Sequence, residues 1–93
     1  MTDDKSILKV STRQVKAARA LLAWSQDDLA EAAALSLPTI KRLEALDGLL
    51  GGRSETAQQI CSALSRAGVD FIAENGGGPG VRLKKAQSSK TRS

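Results

Sequence analysis

Two adjacent bases, Lys41 and Arg42, stand in the segment SLPTIKRLEA at 36–45, together with an apolar pair, Leu37 and Pro38, and a threonine, Thr39. An arginine presents a planar fork of N–H donors that grips two acceptors at once, as on a guanine edge, while a lysine is a compact point charge. Leu37 and Pro38 carry no side-chain donors and suit contact with a methyl group. Other candidates for chemistry are weaker. Ser25 and Ser36 have no accompanying base, histidine is absent and Cys61 is the single cysteine. The commonest general base is therefore missing, an internal disulfide is excluded and a conventional zinc site is strongly disfavoured. Asp27 and Asp28 are accounted for by the first turn of a helix, where carboxylates meet the positive end of the dipole. The glycines at 76–78 are not followed by Gly-Lys-Ser/Thr, so they read as a turn and not a phosphate cradle. The residues point to surface recognition, with no enzyme activity, no cofactor and no metal.

Several helices must position these side chains. Ser11 with Gln14 three residues on makes a capping box, and Val15, Ala18, Leu21 and Leu22 recur at helical spacing up to Trp24. Ser25 with Asp28 makes a second box. Ser36 caps a third helix with Pro38 in its first turn, where a missing N–H is harmless. Apolar residues at Leu29, Ala33, Leu35, Ile40 and Leu43 are those that two crossing helices bury between them. A fourth helix, from about Glu55 to Arg66 and capped by Ser54, has Ala57, Ile60, Cys61 and Leu64 on one face, with Gly68 as its C-cap. Cys61 on that stripe reads as a small buried hydrophobe. Val69, Phe71 and Ile72, then Val81 and Leu83, flank ENGGGPG at 74–80 and predict a β-hairpin. Two helices joined by a tight turn, the second with a polar face, match a helix-turn-helix that docks in the DNA major groove.

Charge gives little extra support. The chain of 93 residues carries a net charge of +4, but Arg82, Lys84, Lys85, Lys90 and Arg92 sit at its end with no acid among them. Removing these five from the 14 bases leaves nine against ten acids, a net of minus one for positions 1–81. A nucleic-acid face must therefore come from local placement of charge. The chain has no apolar run of membrane-spanning length and no start resembling a secretory signal, which predicts a soluble, cytoplasmic protein.

The motifs W-S-Q-D-D-L-A at 24–30, S-x-P-T-I-K-R-L-E at 36–44 and S-E-T-x-x-x-I-x-x-A-L at 54–64 resemble the xenobiotic-response-element type of Cro/lambda-repressor-like helix-turn-helix regulators. The resemblance spans roughly positions 11–66, and the segment at 68–83 is similar to a C-terminal extension of some small bacterial members. It implies a sequence-specific, nucleoid-associated DNA-binding regulator, a repressor or autoregulator, that binds double-stranded DNA as a homodimer. Gln26 would bind a phosphate at its helix end, Leu37, Pro38 and Arg42 would meet base edges, Thr39 and Lys41 bases or phosphates, and Ser36 the backbone. Arg19 and Glu44 match a pair that bridges helices. Ala34 stands where glycine is common. A left-handed alanine costs about 1–2 kcal/mol, which favours a slightly reshaped turn. The usual Glu-Asn-Gly after the recognition helix is Glu44-Ala45-Leu46, and Arg53 is the only base of loop 47–53.

The expected fold is mainly α, a lambda-repressor-like domain of about four helices with a C-terminal β-hairpin. Residues 1–10 form a flexible arm, 11–67 the helix-turn-helix domain, 68–83 the hairpin and 84–93 a disordered basic tail. Two short strands are marginal alone, so the hairpin must pack on the helices or pair with a second chain. Phe71, Ile72, Val81 and Leu83 are its candidate dimer surface. A competing expectation is a protein-interaction module, antitoxin- or antiactivator-like, that uses the same fold to bind a protein partner.

Overall fold

A computed structural model of the chain describes residues 10–50, 54–73 and 76–84. Four helices and one hairpin follow in order: α1 (Thr12–Leu22), α2 (Gln26–Ala33), α3 (Leu37–Ala45), α4 (Ser54–Arg66), β1 (Val69–Ile72) and β2 (Gly80–Leu83). The protein is mainly α with a C-terminal antiparallel hairpin, as the sequence predicts. The arm at 1–9, the tail at 85–93 and Arg53 lie outside the described residues. Among the described residues, no helix is long and apolar enough to cross a membrane.

Three of the helix starts form as their side chains dictate. Ser11 and Gln14 close a reciprocal capping box, and so do Ser25 and Asp28. Ser36 accepts from the Thr39 N–H, with Pro38 in the first turn. α4 opens at Ser54 itself, one residue earlier than expected, and the side chain expected to cap it lies outside the described residues.

The turn after α2 is not reshaped. Ala34 adopts φ 60°, ψ 43°, and Ala23 closes α1 at φ 58°, ψ 39°. The helix end holds Ala34 there: its N–H donates to the Glu31 carbonyl at 3.3 Å, and the Leu35 N–H reaches back to Ala30 at 2.9 Å. That second bond is the long closure of a Schellman ending, which glycine normally supplies. Ala34→Gly removes the Cβ clash of about 1–2 kcal/mol and returns part of it as unfolded-chain entropy, about 0.4–1 kcal/mol. A net gain of about 0.5–1 kcal/mol is expected, read as a higher urea midpoint at unchanged slope. A lower midpoint would mean that the alanine is not strained.

The core is built from the predicted stripes. Leu29, Ala33, Ile40 and Leu43 are buried, as are Val15 and Ala18 of α1 and Ala57, Ile60, Cys61 and Leu64 of α4, while Leu22, Trp24 and Leu35 pack against them in part. Leu21, expected on the buried stripe, is exposed. Positions 15, 18 and 22 complete one face, and 21 falls beside it. Burial pushes the Cys61 thiol up to about 11, so it stays protonated near neutral pH.

Val10 does not belong to a free arm. It is buried with Leu50, whose N–H donates to the Val10 carbonyl at 2.9 Å. Ser11 bridges to Leu49, and the buried Thr12 donates its N–H to Gly48 at 2.9 Å and its hydroxyl to the Leu46 carbonyl at 3.0 Å. The loop after α3 is thus stapled to the start of α1. Nothing in its composition announces this, because Leu49 and Leu50 are adjacent and lack helical or strand periodicity.

β1 and β2 pair in the register Val69–Leu83, Asp70–Arg82, Phe71–Val81 and Ile72–Gly80. Alternation places Val69, Phe71, Val81 and Leu83 on one face and Asp70, Ile72, Gly80 and Arg82 on the other. The first face meets the body: Val69 is buried, and Phe71 and Val81 pack against the core. Gln14, itself buried in α1, donates Nε2 to the Gly80 carbonyl at 2.9 Å. Of the two ways to stabilise the hairpin, packing on the helices is therefore realised. Lys84, placed in the tail by composition, extends the ladder through its N–H to the Gly68 carbonyl at 2.7 Å.

Candidate nucleic-acid interface

The two helices of the motif, α2 and α3, are joined by only Ala34, Leu35 and Ser36. α3 buries one face and exposes another. Ile40, Leu43 and Glu44 are buried, while Pro38, Lys41, Arg42 and Ala45 are exposed. The exposed set follows i, i+3, i+4, i+7 spacing and so forms one stripe along the helix. Leu37 and Thr39 are half-buried at its margin. No carboxylate lies on that stripe, and no ion pair is formed by Lys41 or Arg42 with a described residue.

The expected reading residues therefore divide. Pro38, Lys41 and Arg42 stand together on the open stripe with Leu37 beside them. Ser36 and Thr39 are occupied with local structure: Ser36 Oγ accepts from the Thr39 N–H at 3.3 Å and lies 2.9 Å from the Thr39 hydroxyl. Their role is to start α3 at the right place. Lys41 and Arg42 share this stripe with the apolar Pro38 and the small Ala45.

Behind the stripe lies a charged network that ties the three helices. Arg19 Nε donates to Glu44 Oε2 at 2.8 Å, and Arg19 Nη2 to Glu44 Oε1 at 2.7 Å. Arg19 Nη1 donates to the Trp24 carbonyl at 3.0 Å. Gln26 Nε2 adds a third donor to Glu44, on Oε1 at 3.0 Å. Glu44 is only 5% exposed and the Arg19 side chain 19%, so this is a nearly buried pair with parallel, charge-assisted bonds. Gln26, the expected phosphate residue, opens α2 and is half-buried. It is linked to α3 by a contact that nothing in its local sequence signals, since the partner lies eighteen residues away.

Burial by itself would raise the Glu44 carboxyl. The bonds from Arg19 and Gln26, with the charges of Arg19 and Lys16, outweigh it and hold the group below its ordinary value. A depressed carboxylate stabilises the fold fully above its unfolded pKa, about 4.3, and loses that contribution as pH falls through the folded value. The melting temperature of the wild-type protein is thus expected to drop steeply below about pH 4. Glu44→Gln starts lower at pH 7 and lacks this component, so the gap between the two proteins should narrow toward pH 2. A gap that stays constant across the range would show that Glu44 does not titrate with folding.

The expected dimer residues do not form one surface. Phe71 and Val81 are half-buried against the body, Leu83 shares their face but is 45% exposed, and Ile72, at 38%, stands on the opposite face. On that opposite face Asp70 and Arg82 form an exposed pair at 3.7 Å. Exposed ion pairs of this kind add little stability. Arg13 and Asp47 make another at 3.1 Å between α1 and the loop after α3. No protein-family model matches the chain, and no match is found among curated proteins.

Proposed function

We propose that this protein is a sequence-specific DNA-binding regulator, a repressor or autoregulator, of the helix-turn-helix type that its motifs resemble. The observation that carries the reading is the exposed stripe Pro38–Lys41–Arg42–Ala45 on the second helix of the motif, backed by a buried face. A helix of this kind lies in the major groove with its N-terminal residues on base edges. Arg42 reads guanine O6 and N7, Pro38 and Leu37 contact thymine methyl groups, and Lys41 reaches a base or a phosphate. Gln26 and the first N–H groups of α2 anchor a phosphate. Selection from a random duplex pool tests this directly. A recovered consensus of two half-sites about one helical turn apart supports a dimeric reader. Recovery of no consensus, with a stoichiometric protein partner co-purifying, would replace this reading with the interaction-module one.

A dimer places two such helices on successive grooves of a palindromic site, and the outer face of the hairpin is the surface proposed for it. Ile72 is the informative probe, because it faces away from the body, whereas Phe71→Asp would disturb the core. Ile72→Asp should convert the dimer to a monomer in a sizing measurement while leaving the melting temperature within about 2 °C, as expected for a surface substitution. A variant that stays dimeric would remove the hairpin from the interface.

A further inference from the structure

We infer that the outer face of the hairpin is a self-complementary interface, in which Ile72 of each copy seats over the partner's Gly80 while Asp70 meets the partner's Arg82; this rests on the hairpin dimer of the reading above. The register sets the four residues of that face in two cross-strand pairs, Ile72 with Gly80 and Asp70 with Arg82. Gly80 is the position that the fold of one chain leaves unexplained. Its φ lies outside the left-handed region that calls for glycine, and a Cβ built there would meet nothing within 4 Å. Glycine inside a strand costs packing and chain entropy, and it is kept where another group comes close. No described group of the same chain fills that space. The result is a notch beside the exposed, apolar Ile72. Gln14 holds both sides of the notch in place, since its Nε2 donates to the Gly80 carbonyl at 2.9 Å and to the Ile72 carbonyl at 3.4 Å.

The occupant that fits is a second copy of this chain. A two-fold axis parallel to the strands, set between two such faces, carries β1 of one copy over β2 of its partner at the same height. Because the pairs lie directly across the ladder, one rotation brings each Ile72 over the partner's Gly80 and each Asp70 over the partner's Arg82. Every contact is made twice, as an isologous interface requires. The charges agree with this. Within one chain Arg82 Nε and Asp70 Oδ2 stand 3.7 Å apart, too far for a hydrogen bond, with side chains 69% and 44% exposed. Such a pair contributes little where it is and can exchange with an identical pair facing it. A different protein would need its own apolar knob and both charges at this spacing, whereas the second copy carries them by symmetry. The face is small against the roughly 800 Å² that each partner of a standard complex buries, so the dimer is a weak, reversible one. A palindromic duplex that holds two copies at once raises its occupancy.

Charge reversal in the full chain tests the exchange. Sedimentation over a concentration series is run on wild type, Asp70→Arg, Arg82→Asp and an equimolar mixture of the two variants. Each variant alone sets like charges against each other at both symmetric contacts, so its self-association should weaken about ten-fold. In the mixture every altered side chain meets its opposite, and mixed dimers should form within about two-fold of wild-type affinity. A mixture that associates no better than either variant alone would show that the ion pair stays within one chain, and would overturn the inference. Gly80→Val is an independent test. Its side chain meets nothing in its own chain, so the melting temperature in dilute solution should hold or rise. Self-association should nonetheless fall about ten-fold, because neither Ile72 can seat. Unchanged dimerisation of this variant, or a wild-type protein that is monomeric at every concentration, would equally overturn the inference. These readouts involve no DNA. A protein that shows the exchange but selects no duplex keeps this interface and loses the regulator reading; one that selects two half-sites without the exchange loses only this interface.

Discussion

Arg19→Met is expected to lower stability by about 3 kcal/mol, the lower end for breaking a buried ion pair, since Arg19 keeps some exposure. For a domain of this size that is a fall of roughly 12–24 °C in melting temperature. The loss has two sources. Glu44 remains 5% exposed with its two shortest bonds gone, and the Trp24 carbonyl loses its donor. An unpaired buried carboxylate is far costlier than the pair is favourable, because the desolvation penalty persists after the attraction is removed. For the same reason Arg19→Met combined with Glu44→Leu should regain most of the loss. Thermal melts of the three proteins at pH 7 check this. A single variant that melts within a few degrees of wild type would mean that water reaches Glu44 freely.

The second large effect is on recognition. Arg42→Ala should weaken binding to the selected duplex by about 5- to 150-fold, corresponding to one bidentate base contact of about 1–3 kcal/mol. Binding to unselected duplex should fall only about two-fold, since one of several cationic side chains is lost from the sequence-independent term. Arg42 is exposed and makes no ion pair with a described residue, so the melting temperature should not move. That separation between affinity and stability is what identifies a reading residue. Equal losses on both duplexes would place Arg42 on the phosphate backbone. Titrations at several salt concentrations distinguish the two, because a phosphate contact changes the salt slope and a base contact changes the specificity ratio.

The two substitutions act on opposite faces of one helix. Glu44 points inward to α1 and α2, and Arg42 outward, although only Leu43 separates them. α3 is nine residues long and carries little intrinsic stability of its own. Its orientation comes from Ile40 and Leu43 in the core, from the Ser36 cap and from the Arg19–Glu44 pair. Held this way, α3 can keep Pro38 exposed near its start.

Most of the helical framework was legible in the residues. Ser11, Ser25 and Ser36 each stand before a helical stripe, and each caps as its side chain requires, since capping is a local bond over three residues. The buried sets of α2, α3 and α4 follow from periodicity, because a helix exposes or buries positions in a fixed rotation. Leu21 shows the limit of that reasoning. Two neighbouring leucines both fit a broad stripe, and only the packing of α1 against the other elements selects Leu22. Ala34 shows another. The strain of a left-handed alanine was apparent, but the two closing hydrogen bonds that hold it there depend on where Leu35 docks.

What the sequence by itself determined is the number, type and approximate ends of the elements, the apolar faces and the candidate reading positions. Each of these is set within a few residues of chain. Tertiary structure alone decided that Val10 and Leu50 belong to the core and that the hairpin leans on α1 through Gln14. It also decided that Gln26 is bound to Glu44. These are contacts across 18 to 66 positions, made between groups whose local surroundings carry no mark of their partners. A buried carboxylate, an amide and a guanidinium find one another only because each would otherwise lose its water without replacement. That requirement is satisfied in space and leaves no periodicity in the chain.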